Sequence, residues 1–202
     1  MDNKKIEKII NFGQENRYVE FKCSISWDDI KYKIAKTCLA MSNISTGGHI
    51  IIGMKWDDIK KKYIDEGVTE EQIKSYKLKH DVIQEFVNKY ADPSVNLNST
   101  LDEVNSKNFI VIRVYEFEQI PIFCKKDGEN NLRNGEIYTR SSKKPESAKV
   151  SSQNDMREII EIAVDKQLPK LLKRFGFTNI SSETDIQRKE SAKKFNNEAG
   201  EF

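Results

Sequence analysis

Two charged side chains two residues apart, Glu20 and Lys22, are the feature of this sequence best suited to chemistry on a phosphodiester. The alternating pattern over residues 18–23 predicts a strand that sends both side chains to one face, while Phe21 anchors the strand from the other. A carboxylate can bind Mg²⁺ or Mn²⁺, and a lysine beside it can orient a nucleophile or offset phosphate charge. Alone, such a pair is more often a surface salt bridge.

Three further acids give the pair possible partners. Glu15 precedes the strand, and Asp57 and Asp58 follow the apolar run 49–54. If the strands 18–23 and 49–54 pair, then Glu15, Glu20 and one of the two aspartates would share a divalent cation in oxygen-rich coordination. Which aspartate takes part stays open. The alternative is that Glu15 lies on the surface and the aspartates simply end a strand.

A second candidate surface follows residue 135. Tyr138 and Arg140 lie on a short predicted strand, and Lys143 and Lys144 form a basic turn after it. Arginine and lysine at such a position are suited to contact a phosphate backbone, so we predict these four residues as nucleic-acid contacts. An ordinary solvated strand edge explains the same pattern equally well.

Other sites have little support in the sequence. Gly47 and Gly48 precede an apolar strand, but neither dinucleotide-binding nor P-loop spacing is present, so we expect a helix-to-strand turn and no ATP site. The histidines His49 and His80 lie at no metal-ligand spacing, and three widely separated cysteines argue against a zinc site or a disulfide framework.

Periodic patterns outline the elements that would position these residues. Apolar residues at helical spacing predict helices, alternating or continuous apolar runs predict strands, and the stretch 60–79 has few apolar residues and is predicted to be an insertion or a solvated helix. The fold class is therefore α+β, with a mixed, mostly antiparallel sheet and packed helices. Helices are predicted over 3–12, 26–43 and 82–90, strands over 18–23, 49–54 and 136–140, and a hairpin over 95–101 and 109–115.

Composition and length set the domain organisation. With 202 residues, 34 basic and 32 acidic, the chain has a formal charge of +2, so a nucleic-acid surface must come from local clustering. We predict a main domain over 1–150, a helical extension over 151–180 and a disordered tail over 181–202. The chain has no apolar run near the roughly 18 residues of a membrane helix, so we expect a cytoplasmic protein with no membrane partner.

The ordered motifs together resemble the Schlafen AlbA-type domain. An E-x-x-x-x-E-F-K run extends from Glu15 to Lys22, followed by the A-M-S-N run ending at Asn43, a Gly-Gly turn into an I-I-I-G strand, and the late Y-x-R of 138–140. The resemblance spans roughly residues 12 to 150. It implies binding of RNA or DNA, and metal-dependent endoribonuclease activity on structured RNA such as transfer RNA. By resemblance, Glu15 and Glu20 match the two motif glutamates, and Asp57 or Asp58 supplies the third acid.

The sequence is compatible with three functions, which experiments can distinguish. The first is a hydrolase in which the acids bind Mg²⁺ or Mn²⁺, Lys22 orients the phosphate, and neutralising Glu20 abolishes cleavage while leaving the fold intact. The second is a non-catalytic DNA-binding or transcription-regulatory module that recognises phosphates by charge and shape. The third is an interaction subunit whose C-terminal helices bind a protein partner or a second copy of the chain.

Overall fold

The computed structural model of the protein describes residues 3–78, 81–141 and 145–175. Within these residues the elements are α1 (Asn3–Phe12), β1 (Val19–Lys22), α2 (Trp27–Ser42), β2 (Gly48–Ile52), β3 (Met54–Asp57), β4 (Lys62–Asp65), α3 (Glu70–Tyr76), α4 (Val82–Asn88), β5 (Ala91–Asp92), β6 (Leu97–Val104), β7 (Lys107–Val114), β8 (Phe123–Cys124), β9 (Tyr138–Arg140), β10 (Ser147–Lys149) and α5 (Gln153–Arg174).

Four of these strands form the central sheet, in the order β1-β2-β7-β6. Strands β1 and β2 run parallel, with Glu20 opposite Ile50. The pairs β2–β7 and β7–β6 are antiparallel, and the last is the hairpin predicted from sequence. Three two-stranded sheets, β3–β4, β5–β8 and β9–β10, complete the set within the described residues. The predicted fold class, α+β with a mixed and mostly antiparallel sheet, is confirmed.

Helix α1 covers one face of this sheet. Its Ile6 and Ile10 pack with Phe21, Ile51 and Val111, and all five side chains are almost fully buried. Burying an aliphatic or phenyl side chain of this size contributes about 1.5–3 kcal/mol. Helix α2 contacts β2 and β7, and strand β2 is buried along its whole length, as its continuous apolar sequence predicts.

The turn from α2 into β2 depends on two glycines. Gly47 has a φ of +66°, and a Cβ at this position would lie 2.1 Å from the carbonyl oxygen of Val114. A Cβ on Gly48 would lie 2.6 Å from the sulfur of Met41. The positive φ and the close backbone approach account for both glycines, as predicted for this turn.

The stretch 60–79 differs from its prediction as an insertion or a solvated helix. It contributes strand β4 and helix α3 to the fold. Gly53, with a φ of +112°, separates β2 from β3, so Trp56 and Asp57 belong to a second strand that pairs antiparallel with β4. His80 lies outside the described residues.

Tyr63 explains why strand β4 forms in a lysine-rich segment. Its backbone N–H donates to the carbonyl oxygen of Gly13 at 2.8 Å, and its ring packs against Phe21 with centroids 5.1 Å apart. Both partners lie more than forty residues away in the chain. The local composition therefore gives no indication of the contacts that stabilise this strand.

The chain divides into two compact units, residues 1–160 and 161–202. The first contains the elements from α1 to β10 and the start of α5. Within the described residues, the second contains the rest of α5. The tail predicted over 181–202 lies outside the described residues. Among those described, no helix combines the length and apolar character needed to cross a membrane.

Candidate functional site

Strand β1 places the predicted charged pair as expected. Val19 and Phe21 are buried on one face, while Glu20 and Lys22 are partly exposed on the other. The ammonium of Lys22 donates a hydrogen bond to Oε1 of Glu20. The second carboxylate oxygen of Glu20, Oε2, accepts a hydrogen bond from a guanidinium nitrogen of Arg140 at 2.6 Å. The Glu20 carboxylate therefore lies between two cations.

Arg140 is fully buried, and each of its five N–H groups has an acceptor within hydrogen-bond distance. Nε donates to the carbonyl oxygen of Arg17 at 2.8 Å. Nη1 donates to Glu20 and to the hydroxyl of Ser147, and Nη2 donates to the carbonyl oxygens of Asn16 and Pro145 at 3.0 and 2.7 Å. Its guanidinium is directed into the protein in this structure, and a contact of Arg140 with phosphate stays a prediction.

This arginine needs a carboxylate because an isolated charge in the interior of a protein is strongly unfavourable. Glu20 is its counter-ion, and the Glu20 side chain is itself only 13% exposed. The backbone carbonyls bind the remaining guanidinium protons. The Glu20–Arg140 pair is thus a buried ion pair that joins strand β1 to strand β9.

Arg17 strengthens the same junction from the other side. Its Nε donates to the carbonyl oxygen of Arg140 at 2.6 Å, so each arginine donates to the backbone of the other. Nη2 of Arg17 forms an ion pair with Glu158 at 2.7 Å. Three parts of the chain that are distant in sequence therefore meet at one point. They are residues 16–20, the group Arg140, Pro145 and Ser147, and the start of α5.

Glu15 lies beside this pair. Its Oε1 accepts a hydrogen bond from the backbone N–H of Phe21 at 2.7 Å, and its carboxylate also accepts one from the hydroxyl of Tyr63. Burial, and then the negative charge of Glu20, raise the pKa of Glu15 above its ordinary value. Burial and Glu15 raise the pKa of Tyr63 to about 12. A carboxyl group whose pKa is raised by burial and by a neighbouring negative charge is frequent at functional sites.

Of the two aspartates predicted as the third acid, Asp57 ends strand β3 and Asp58 begins the turn to β4. Oδ1 of Asp57 accepts hydrogen bonds from the backbone N–H groups of Ile59 and Lys60, both at 2.9 Å. The N–H of Lys60 contributes most to lowering the pKa of Asp57. Oδ1 of Asp58 accepts from the indole N–H of Trp56 at 3.0 Å. Both side chains therefore stabilise the hairpin turn.

The predicted set of metal ligands does not assemble in this structure. Among residues 3–78, 81–141 and 145–175, no three acidic, histidine or cysteine side chains come together as a metal site. In addition, both carboxylate oxygens of Glu20 already bind cationic side chains. In this structure the hairpin uses both aspartates for its own hydrogen bonds, and binding of one cation by Glu15, Glu20 and Asp57 or Asp58 stays a prediction.

An open groove of about 400 Å³ runs above the two glutamates. Lys33 and Lys36 line it from α2, where a spacing of three residues places them on the same face of the helix. Lys36 lies over the ring of Tyr138, with Nζ 5.3 Å from the centroid. The remaining lining residues are Glu15, Glu20, Lys22, Thr37, Asn130, Asn131, Pro145, Glu146 and Ser147.

Tyr138, also predicted as a nucleic-acid contact, is buried in this structure. It is 2% exposed, and its hydroxyl donates to the carbonyl oxygen of Asn131 and accepts from the backbone N–H of Arg133. The tyrosine supports the loop at the rim of the groove, and its role as a nucleic-acid contact stays a prediction. Lys143 and Lys144 lie outside the described residues, and their role stays a prediction.

Sequence reasoning did not identify Lys33, Lys36, Tyr63 or the asparagines at the groove. The two lysines had a detectable signal, since they lie on α2 opposite its buried stripe, which includes Ile34 and Cys38. Tyr63 had none, because its role depends on contacts across the fold. The structure does bring together Glu15, Glu20 and Lys22, three of the predicted catalytic residues.

Comparison with known proteins places this site in context. The family model described as Schlafen, AlbA_2 matches residues 15–149, which include the groove-lining residues. Among curated proteins, no sequence matches significantly.

Two solved structures resemble the fold at low sequence identity. The DIP2311 protein from Corynebacterium diphtheriae is 16% identical with a TM-score of 0.48 over 77% of this chain, which spans only 27% of that protein's chain. The N-terminal domain of an ATP-dependent DNA helicase RecG-related protein from Nitrosomonas europaea is 18% identical with a TM-score of 0.45, over 66% of this chain and 87% of that one.

Removing the charge of Glu20 should destabilise the fold. In Glu20→Gln the buried guanidinium of Arg140 loses its counter-ion, and we expect the free energy of unfolding to fall by about 3 kcal/mol. The matched control is Glu136→Gln, which neutralises the surface pair with Lys149 and should cost less than about 1 kcal/mol. Urea unfolding measures both. Equal stability of the two variants would contradict the role given to Arg140.

The raised pKa of Glu15 predicts a pH dependence. The native state holds the Glu15 proton more tightly than the unfolded chain, so the stability associated with this carboxyl is present at low pH and is lost as pH rises through the folded pKa. Relative to wild type, Glu15→Gln should therefore gain stability between about pH 4 and about pH 7. Urea unfolding at both pH values tests this, and a difference independent of pH would refute it.

Proposed function

The chain belongs to the Schlafen, AlbA_2 family, and from that membership we propose that it binds nucleic acid in the groove between helix α2 and residues 130–131 and 145–147. One observation carries the proposal: Lys33 and Lys36 project from one face of α2 into an open groove whose floor is held rigid by a buried ion pair. Lysine ammonium groups spaced along a groove are suited to contact successive phosphates.

The charges of the groove favour an anion more than a simple count indicates. Three lysines and three glutamates line it. The buried guanidinium of Arg140 forms an ion pair with the carboxylate of Glu20 and offsets its charge. The raised pKa of Glu15 means that burial and Glu20 also disfavour the charged form of this carboxyl group. Lys33 and Lys36 therefore act in a field with less opposing charge than the lining residues suggest. The chain's formal charge of +2 predicts modest, local binding with little non-specific attraction.

The rim of the groove supplies neutral polar groups. Asn130 and Asn131 have positive φ values and project from the loop that Tyr138 supports. Amide side chains at such a position can donate to phosphate or to the 2′-hydroxyl of RNA. Together with the family resemblance, this favours RNA over DNA as the ligand. Binding to DNA as a regulatory module is the alternative that a binding assay distinguishes.

Cleavage of structured RNA, such as transfer RNA, is the second candidate function. The observation that favours it is the adjacent Glu15 and Glu20, with Lys22 beside them, at the floor of the groove. Binding of Mg²⁺ or Mn²⁺ by the predicted acids stays a prediction, and no step is assigned to the metal. Of the two glutamates, Glu15 is the better candidate proton acceptor, since Glu20 is bound to Arg140 and Lys22.

Replacing both groove lysines should weaken binding without unfolding the protein. We expect Lys33→Ala/Lys36→Ala to lower affinity for RNA similarly across sequences, and to reduce the slope of log affinity against log salt by about 2. The matched control is Lys4→Ala/Lys8→Ala, which removes two exposed lysines one turn apart on α1, outside the groove. Fluorescence anisotropy with labelled transfer RNA and duplex DNA measures both. Equal affinity of the two double variants would exclude this groove as the binding surface.

The cleavage candidate is tested with Glu15→Gln, because Glu20→Gln also disturbs the buried ion pair. Purified wild type and variant are incubated with labelled transfer RNA, with Mn²⁺ or with a chelator. We expect any cleavage by wild type to fall at least tenfold in Glu15→Gln, because general acid-base groups typically contribute 10²–10⁴-fold. Cleavage unchanged in the variant would remove Glu15 from the reaction. RNA binding without cleavage in every sample would leave the binding module as the function.

A further inference from the structure

The β3–β4 hairpin presents a tryptophan to solvent close to the groove. Trp56 is 45% exposed, and an indole ring offers a flat face on which a nucleic-acid base can stack. Its indole N–H donates to Asp58 at 3.0 Å. Its ring meets Tyr63 edge-on, with centroids 5.2 Å apart and planes at 70°. The indole is therefore held in one orientation while almost half of the residue's surface stays open.

Tyr63 joins this tryptophan to the groove. The ring of Tyr63 contacts both Trp56 and Phe21, and its hydroxyl is hydrogen-bonded to Glu15, which lines the groove. Trp56 thus lies one aromatic ring beyond the groove wall.

The surroundings of Trp56 favour an anionic, aromatic ligand. Lys55, Lys60 and Lys61 are exposed on the same hairpin. Asp57 and Asp58 accept hydrogen bonds from neutral N–H groups, which leave their charges in place, so the three lysines exceed these two aspartates by one charge. Lysines beside an exposed aromatic ring form the combination that binds single-stranded nucleic acid, in which cations attract the backbone and a base stacks on the ring.

We propose that Trp56 is a stacking platform for an unpaired base of the nucleic acid held in the groove. The inference rests on the proposed binding function and narrows it: the ligand must carry a single-stranded segment at the point where it crosses the β3–β4 hairpin. A base locked within a continuous duplex cannot present its face to the indole. The hairpin therefore selects for loops, bulges or free ends.

Tryptophan fluorescence gives a direct test, because the chain has only two tryptophans. Trp27 is buried against the rings of Tyr76 and Phe86, so Trp27→Phe keeps an aromatic ring there and leaves Trp56 as the reporter. We expect a single-stranded oligouridylate to quench this emission, and the same strand annealed to its complement to leave it nearly unchanged. Anisotropy of the labelled RNA measures binding in the same samples.

Substitution of Trp56 tests the energetic contribution. Trp56→Leu should bind the single strand roughly 5- to 150-fold more weakly, from a stacking contribution of about 1–3 kcal/mol per base. Trp56→Tyr, which keeps a stacking ring, should recover most of the affinity. Affinity for the duplex should change little in either variant. Urea unfolding of both variants separates a lost contact from a lost fold.

The outcomes distinguish this inference from the function it rests on. If binding depends on Lys33 and Lys36 while Trp56 emission is unmoved and Trp56→Leu binds normally, the stacking platform is wrong and the groove proposal stands. If folded Trp56→Leu loses affinity for single strand and duplex equally, selection for unpaired bases is wrong. If no RNA or DNA binds at all, both proposals fail.

Discussion

The buried ion pair between Arg140 and Glu20 is the interaction on which the rest of the site depends. A guanidinium with no exposure to solvent is tolerated only because a carboxylate and several backbone carbonyls surround it. Those acceptors come from the segment before β1, from β1 itself and from the loop after β9. The requirement to satisfy one arginine therefore fixes residues 16–20 relative to residues 145–147, and both segments contribute residues to the groove.

This ion pair changes the role that each acidic residue can have in the groove. Glu20 has the position expected of a catalytic acid, yet its carboxylate is first the counter-ion of Arg140 and Lys22. Glu15 keeps a more independent carboxylate, and burial beside Glu20 raises its pKa. Chemistry in this groove would therefore begin with Glu15. Nucleic-acid binding does not depend on this carboxyl group, because the lysines of α2 face the groove whether or not the glutamates that line it are protonated.

Several parts of this arrangement were readable from the sequence because they depend on local periodicity. Alternation over 18–23 placed Glu20 and Lys22 opposite Phe21, and the three-to-four spacing of apolar residues located α2. The β3–β4 hairpin was missed for a physical reason. Its strands are short and rich in lysine, and Tyr63 is held by Gly13 and Phe21, which are distant in the chain.

By itself, the sequence determined the fold class, the order of the main strands and helices, and the pair of glutamates at the site, since backbone geometry and side-chain periodicity act over a few residues. Only the tertiary structure decided that Arg140 is buried beside Glu20, and that Asp57 and Asp58 accept hydrogen bonds within a hairpin. Whether a charged side chain faces water or a partner depends on which distant acceptors the fold brings to it. No local pattern records that information.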